Sequence, residues 1–388
     1  MQKDAMPRVL INCSNLHLGG GVAVATSFID CLSKMEHSGF EISLLLSTSV
    51  ERNLSELGAD LSKFSGKITH NFFGISSLWS GLDKHFDGFD LVFTVFGPAY
   101  FVRRNAYHLF GFAQPNIIFP QVTQTLQRSI IDRLCARLKY DLQAWFFSRA
   151  DAFVVELEHV KEGLMRRRLF HSKPISVVYS SVHTVYTQPD KWAPLNIPTR
   201  RGCLKLGVIS RNYPHKNLAV LPEVKAVLKE NHFQDTEIYV TLPETEWKKC
   251  SARFRNSVVN VGELGLSQCP TFYSAMDGVI FPTLLECFSA VPIEAMSIGR
   301  PLFASNRTFI KEVCGEHCRY FDPNNPDDIA TVIINFFRLP MQKRQDVCQA
   351  AKVHASRFPG PEERAGSYLG LIAEKIEAIS QSHSKQSK

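Results

Sequence analysis

The stretch Phe281-Pro-Thr-Leu-Leu-Glu286-Cys-Phe288-Ser289-Ala290-Val-Pro292-Ile-Glu294-Ala-Met decides the fold prediction for this chain. The apolar run Gly278-Val-Ile-Phe281 that leads into it is typical of a buried parallel strand. Pro292 suits the first position of a helix, because its missing N–H would have no partner there. The stretch therefore predicts a strand, a tight loop that carries Glu286, and a helix that carries Glu294 in its first turn.

This predicted helix start has the chemistry of an anion site. Free amides and the positive end of the helix dipole make such a position receptive to a phosphate. A carboxylate in the first turn, beside that phosphate, can accept hydrogen bonds from a vicinal diol such as a ribose. The stretch thus indicates a site for a nucleotide sugar. The alternative is a surface helix start with two incidental acids, which the strand–loop–helix context disfavours.

The stretch also resembles the Glu-x7-Glu signature of retaining glycosyltransferases of the GT-B fold, family 4 (glycosyl transferases group 1). It keeps both glutamates, Phe288 and the Ala-Met after Glu294, whereas Cys287 and Ser289 replace the usual glycines. The resemblance implies that Glu294 holds the ribose hydroxyls and that Glu286 acts at the donor sugar. It also implies that the diphosphate meets the backbone amides of Phe288, Ser289 and Ala290.

A second motif follows the apolar run Leu204–Ile209, where the chain reads Ser210-Arg211-Asn-Tyr-Pro-His-Lys216-Asn217. It is similar to the family pattern Gly-Arg-x4-Lys-Gly or Lys-Asn, with serine in place of the common glycine. Arg211 and Lys216 are therefore predicted to bracket the diphosphate as catalytic cations, and Asn217 to help bind the donor. A solvated basic loop is the alternative.

The N-terminal half carries weaker signals. Gly19, Gly20 and Gly21 follow the first predicted strand and precede a helix, and they resemble the glycine-rich loop of family 4, which lies beside the donor's diphosphate and sugar. An ordinary structural turn is the alternative. Family members often carry a histidine at the end of a strand near the donor sugar, which makes His108 a catalytic candidate. A core or surface histidine is the competing interpretation.

Strand and helix patterns alternate along the 388 residues, a length that exceeds what one hydrophobic core usually holds. We predict the α/β GT-B fold: two Rossmann-like domains with mostly parallel sheets facing across a cleft, and a C-terminal helix that crosses back to the N-terminal domain. The predicted domains are 1–190 on the acceptor side and 200–365 on the nucleotide-sugar side, with a polar linker at 187–201. A C-terminal helix and a disordered tail are predicted at 366–388.

Composition narrows the class of partner. The net charge of +7 is compatible with nucleic acid, an anionic membrane surface or anionic substrates. A nucleic-acid partner is disfavoured, because no known module with a basic face and interleaved aromatics is recognisable. The ten cysteines are scattered and Cys314-Gly-Glu-His317-Cys318 lacks a second ligand pair, so reduced thiols and no metal site are predicted. The sequence shows neither a signal-peptide core nor a run of membrane-spanning length, which predicts a cytoplasmic protein.

A segment from about Thr123 to Arg149 is amphipathic. Its apolar residues recur every four positions and line one face of a helix, at Ile130, Leu134, Leu138, Leu142 and Phe146. Basic residues lie off that line, at Arg128, Arg133, Arg137 and Lys139. We expect the apolar stripe to pack against the N-terminal sheet. The basic residues remain able to contact anionic lipid, which makes the inner face of the membrane a candidate peripheral location.

Together these features predict a glycosyltransferase that moves a sugar from a nucleotide-diphosphate donor to a hydroxyl of a glycan or lipid-linked acceptor, in cell-surface polysaccharide or lipopolysaccharide synthesis. Retention is implied by the family. No Asp-x-Asp pair lies in a strand-end loop, so neither a metal nor a cofactor is expected. The alternative is a nucleotide-sugar epimerase of the same fold. A dinucleotide-binding dehydrogenase is disfavoured, because the loop at 17–22 lacks Gly-x-Gly-x-x-Gly.

Overall fold

Two parallel sheets, each in its own unit, organise the chain in the computed structural model, which describes residues 6–36, 39–126, 129–198, 200 and 202–386. The first unit draws on the described parts of Met1–Pro120, Gln127–Tyr179 and Pro359–Lys388. The second draws on Gln121–Leu126 and the described parts of Ser180–Phe358. The predicted linker at 187–201 therefore lies inside the second unit. Burial of Val185 and Tyr186 just before it ties this polar segment to that unit.

The first unit has a seven-stranded sheet in the order β3-β2-β1-β4-β5-β6-β7, with every neighbouring pair parallel. Its strands are β1 Arg8–Cys13, β2 Glu41–Leu46, β3 Gly66–Thr69, β4 Leu91–Thr94, β5 Tyr107–Gly111, β6 Ala152–Val155 and β7 Ile175–Val177. The helices along this part of the chain are α1 Gly20–Lys34, α2 Thr48–Glu56, α3 Leu82–Phe86, α4 Pro115–Ile118, α5 Pro120–Thr125, α6 Ile130–Phe147 and α7 Glu158–Met165.

The second unit has a six-stranded parallel sheet in the order β10-β9-β8-β11-β12-β13. Its strands are β8 Leu204–Val208, β9 Thr236–Val240, β10 Val259–Asn260, β11 Gly278–Phe281, β12 Leu302–Ser305 and β13 Arg319–Phe321. Its helices are α8 Leu221–Glu230, α9 Glu244–Trp247, α10 Ala252–Ser257, α11 Cys269–Ala275, α12 Val291–Ser297, α13 Thr308–Cys314, α14 Pro326–Phe337 and α15 Met341–Ala355.

Each sheet reverses its winding direction at one central strand. In the first unit β1 lies between β2 and β4, and in the second β8 lies between β9 and β11. Such a switch point leaves a crevice beyond the carboxyl ends of the two central strands, where open α/β sheets bind their ligands. The loops that follow β1, β4, β8 and β11 are therefore the places to look for a site. This doubly wound arrangement in two units confirms the predicted fold class.

The chain returns to the first unit at its end, as predicted. Helix α16, Pro361–Gln386, packs against α1 and adds apolar side chains to the core of the first unit, including Ala365, Tyr368, Leu371, Ile372 and Ile376. The predicted disordered tail from Ser380 is wrong as far as Gln386, because the helix continues through it. That segment contains neither glycine nor proline, and extending an existing helix needs no new nucleus.

The orientation predicted for the stripe on α6 is also wrong. Ile130 and Leu138 are 82% and 63% exposed, and Leu134 and Leu142 are exposed as well, whereas Phe146 is buried. Positions four apart advance about 40° around an α-helix, so Phe146 has turned about 160° away from Ile130. Arg128 lies outside the described residues. None of the described helices is both long and apolar enough to cross a bilayer.

A buried ion pair fastens α16 to the first unit and gives a stability prediction. Arg364 Nη2 lies 3.0 Å from Glu156 Oε1, with the two side chains 7% and 8% exposed. Arg364→Ala removes the guanidinium from a buried carboxylate, so we expect the free energy of unfolding to fall by about 3–5 kcal/mol in urea denaturation. Arg52→Ala, in the exposed Arg52–Glu56 pair, should change it by less than about 1 kcal/mol. Equally small effects would show that the buried pair contributes little.

Candidate functional site

The loops after β8 and β11 meet at the switch point of the second unit. Leu284 N donates a hydrogen bond to His215 O at 2.7 Å, which ties the two loops together. Lys216 Nζ lies 2.6 Å from Glu286 Oε1, and these side chains are only 16% and 13% exposed. Two residues singled out from separate motifs, 70 positions apart, are therefore in direct contact.

Glu286 is held in a nearly water-free environment. Burial raises the pKa of its carboxyl group above the ordinary value, while the Lys216 ammonium and hydrogen bonds with Thr283 and Ser289 oppose that rise. The same ammonium lies 5.9 Å from the centroid of the Phe281 ring, within cation–π range. A carboxylate of this kind responds strongly to any ligand that draws Lys216 away, because the lysine is its neutralising charge.

Glu294 lies in the first turn of α12, as predicted, although Val291 precedes Pro292 in the helix. The Tyr273 hydroxyl donates to Glu294 Oε2 at 2.9 Å. Burial raises the pKa of Glu294, and the hydrogen bond from Tyr273 opposes this effect. Tyr273 therefore holds this carboxylate in position.

The loop Phe288–Ala290 connects Glu286 to α12. Ala290 is the residue that caps the helix, and Ser289 is buried with its hydroxyl bonded to Glu286. The serine that replaces the family glycine therefore helps to hold Glu286 in place. The contact between the backbone amides of this loop and a diphosphate stays a prediction.

Arg211 is not brought together with Lys216. Its guanidinium lies 2.6 Å from Glu246 Oε1 and 3.1 Å from Glu263 Oε1. Glu246 also accepts a hydrogen bond from the Asn212 amide at 2.7 Å, which fixes the carboxylate against the loop. The predicted bracket of two cations is therefore absent from these described residues, and Arg211 would need to exchange a carboxylate for a phosphate to act on a donor.

Asn217 has a structural role. Its backbone lies in the left-handed region at φ 55° and ψ 33°, directly after the turn Pro214–Lys216. Its side-chain Nδ2 donates to Pro323 O at 2.7 Å, which ties the loop to the segment after β13. Asparagine tolerates this conformation better than most residues with a β-carbon. The geometry accounts for Asn217 without a ligand.

The glycine loop of the first unit lies open at the start of α1. Gly19 has φ 74°, a conformation that favours glycine, and a β-carbon added at Gly19 or Gly20 would have no heavy atom within 4 Å. A β-carbon at Gly21 would lie 3.3 Å from Leu16 Cδ2. Gly19 and Gly20 thus leave the backbone accessible to a ligand, whereas a side chain at Gly21 would press on Leu16.

The catalytic role predicted for His108 is wrong. The side chain is fully buried in β5, 4.2 Å from the ring centroid of Phe101 and 5.5 Å from that of Phe86. Neither ring nitrogen has a hydrogen-bond partner among the described residues. Burial, assisted by Arg104 and Arg149, lowers its pKa to about 3. In the sequence, a histidine in a strand with aromatic neighbours has the same pattern whether it belongs to the core or to a functional site.

Sequence reasoning missed two residues that complete the site. His215 precedes Lys216, and burial together with that lysine lowers its pKa to about 4. Thr283 is buried and bonds Glu286. Both residues could have been found from the sequence, because His215 lies inside the motif that carries Lys216 and Thr283 lies inside the stretch that carries Glu286. As for the Cys314–Cys318 cluster, no group of three or more potential metal ligands occurs in the described part of the chain.

Comparisons with known proteins agree with this geometry. Residues 204–338 match the family model described as glycosyl transferases group 1. The chain is 22% identical over 188 residues to the O-antigen chain mannosyltransferase RfbU of Salmonella typhimurium, a match that covers 47% of this chain and 49% of that protein. The chain thus spans about half the length of this curated relative.

Solved structures show the same fold. A sucrose-phosphate synthase from Thermosynechococcus elongatus superposes with a TM-score of 0.68 at 14% identity, covering 96% of this chain and 100% of the other. HepE of Anabaena, solved with UDP and glucose, gives a TM-score of 0.64 at 13% identity over 96% and 100% of the two chains. The fold and the site define a GT-B protein. The resemblance to the group 1 glycosyltransferases is confirmed, with the family match lying in residues 204–338 of the second unit.

The strain at Asn217 can be measured with two variants that both lose the Pro323 hydrogen bond. Asn217→Gly removes the β-carbon and relaxes a backbone at φ 55°, whereas Asn217→Ala keeps it. We expect the alanine variant to be less stable than the glycine variant by about 1–2 kcal/mol in urea denaturation. Equal stabilities would show that the left-handed conformation carries no strain.

His108→Phe tests the core assignment through pH. An unfolded histidine takes up a proton below pH ~6.5, while folded His108, with a pKa of about 3, stays neutral. Wild type therefore loses stability as the pH falls through this window. Between pH 7 and 5 we expect it to lose about 2 kcal/mol more than the phenylalanine variant. The variant should also keep near-wild-type turnover, and a large loss of turnover would restore a catalytic role.

Proposed function

We propose that this protein transfers a sugar from a nucleotide-diphosphate donor to a hydroxyl of a growing glycan in lipopolysaccharide or O-antigen synthesis, with retention and without a metal. The observation that carries the proposal is the largely buried Lys216–Glu286 pair at the switch point, with Glu286 in the loop that leads to Glu294 in the first turn of α12. The group 1 family match supports transfer chemistry. The relative named an O-antigen mannosyltransferase supports the acceptor class, and the UDP-bound neighbour supports a nucleotide donor.

The first step is recognition of the donor. Glu294, fixed by Tyr273, accepts hydrogen bonds from the two ribose hydroxyls, which gives the nucleotide one orientation. The ammonium of Lys216 then turns toward the diphosphate, a stronger anionic partner than one carboxylate. The first unit, which we propose as the acceptor side, carries an accessible backbone at Gly19 and Gly20.

Charge development sets the roles in the chemical step. The bond between the anomeric carbon and the diphosphate oxygen breaks, and its electron pair stays on the diphosphate. Lys216 neutralises the charge that grows there, so it stabilises the transition state more than the bound donor. The acceptor oxygen bonds to the anomeric carbon, and its proton passes to the departing diphosphate. Nothing in this sequence of events requires a metal.

Glu286 changes state when the donor binds. Once Lys216 turns to the diphosphate, this buried carboxylate loses its neutralising charge, and its pKa, already raised by burial, rises further. It then favours hydrogen bonds with sugar hydroxyls that compensate for the lost ion pair. Glu286 thus couples correct placement of the sugar to release of the lysine.

An epimerase of the same fold would bind the same donor, but it needs an acid and a base at the sugar ring. His108, the histidine considered for a role at the sugar, lies in the core of the first unit. The family match therefore favours transfer over epimerisation.

A matched pair of lysines tests the proposal. Lys216→Ala should lower kcat/KM by about 10²–10³, the size of effect seen when a transition-state anion loses one charged or polar donor. Lys225 is the control, because its ammonium lies 2.8 Å from Glu237 in a comparable, partly buried pair of the same unit. Lys225→Ala should keep near-wild-type kcat/KM.

The assay measures nucleotide release in the presence of O-antigen acceptor glycans, after the donor has been chosen by thermal stabilisation with UDP-, GDP- and ADP-sugars. Similar kcat/KM for both lysine variants would remove Lys216 from the chemistry. The absence of stabilisation by every nucleotide sugar would count against the proposed function as a whole.

A further inference from the structure

The outward face of α6 carries a continuous band of large apolar side chains. Besides the four exposed stripe residues already described, Ile131 and Trp145 are 74% and 48% exposed. The helix has 18 residues, and these six positions span its whole length. A row of this kind on a surface helix is unusual, because most surface helices of globular proteins turn such a row toward the core.

Geometry shows that this band is the face turned away from the first unit. The residues of α6 that are partly or fully buried are Ala136, Tyr140, Gln143, Ala144, Phe146 and Phe147. With about 100° per residue, the exposed apolar positions centre roughly 180° from Ala136 and spread over about a third of the circumference. The amphipathic helix therefore turns its apolar stripe toward solvent, whereas a core helix turns it toward the protein interior. Its buried face anchors it, and its apolar face points outward.

Charged residues border the band on both sides. Arg133 and Arg137 lie along one edge and Lys139 along the other, and Arg149 follows the helix. The two acids are Asp132, which lies close to Lys139 around the helix, and Asp141, which falls within the band at its arginine edge. Asp141 lies 3.8 Å from Arg137 in an exposed pair. Basic side chains therefore outnumber acidic ones along the helix. This combination of an apolar face and a basic border matches a bilayer that carries anionic headgroups.

We propose that α6 is a membrane-docking helix, which lies in the interface of an anionic bilayer with its apolar face inserted and its basic border on the headgroups. The helix is about 27 Å long, and it lies along the surface rather than crossing the bilayer. Trp145 on the band suits the interfacial depth, where tryptophan is enriched. The inference goes beyond the transfer reaction and is tested without any donor.

Cys135 supplies a native reporter on this helix. Among the described cysteines it alone is exposed, and it lies next to Leu134 at the edge of the band. An environment-sensitive fluorophore attached to Cys135 should shift to the blue when vesicles of phosphatidylcholine and phosphatidylglycerol are added. The shift should be much smaller with phosphatidylcholine alone and should weaken at high salt, because screening reduces the attraction of the basic border. Cys135→Ser protein carried through the same labelling gives the background.

Two sets of variants separate insertion from charge, with binding measured by vesicle co-sedimentation of unlabelled protein. Leu134→Gln with Leu138→Gln should weaken binding by about a hundredfold, since each leucine side chain inserted contributes about tenfold. Leu57→Gln, at an equally exposed leucine of the first unit, should leave binding unchanged. Arg133→Gln with Arg137→Gln should reduce binding to anionic vesicles and its dependence on salt.

Two results would overturn the proposal. One is equal binding to vesicles by the wild type, the Leu134/Leu138 variant and the Leu57 control, or no binding by any of them. The other is a stable dimer in sedimentation velocity that the Leu134/Leu138 substitutions dissociate, which would make a second copy of the chain the occupant of the band. Loss of transfer activity in variants that still bind vesicles would bear on the proposed function and leave the docking helix standing.

Discussion

A parallel strand must be covered on both faces, and this constraint places every candidate functional group of the second unit. Strands such as Gly278–Phe281 are buried along their whole length, so polar side chains emerge only where strands end. The reversal of winding at β8 then opens a space beyond two adjacent strand ends. Lys216 and Glu286 meet there because their loops follow the adjacent strands β8 and β11.

The burial of the Lys216–Glu286 pair affects how much the pair contributes to stability. A buried ion pair is rarely a large net source of stability, because desolvation offsets most of the attraction. Such a pair can therefore rearrange at little net cost only if the ligand gives each buried charge a new partner. Arg211 is also paired with carboxylates, those of Glu246 and Glu263, but its side chain is more exposed than that of Lys216. Carboxylates of the second unit thus hold both Lys216 and Arg211 in position.

The sequence sufficed for what depends on local pattern. The run Gly278–Phe281 lies in a strand, and Glu294 lies in a first helical turn, because spacing and apolar continuity determine these features. It failed where the outcome depends on distant packing. The aromatic rings around His108 come from other segments, and periodicity shows that α6 has an apolar face without showing which way the face points. The φ angle of Asn217 likewise follows from tertiary contact with Pro323.

The return of α16 to the first unit gives the two units different histories during synthesis. The second unit consists of residues that precede position 359, so its core does not depend on α16. The first unit exposes the surface of α1 until the last segment of the chain has been made. Its apolar side chains, including those of Phe28 and Ile29, stay in contact with solvent or chaperones for that whole interval. The first unit can therefore complete its core only after every residue of the second unit has been synthesised.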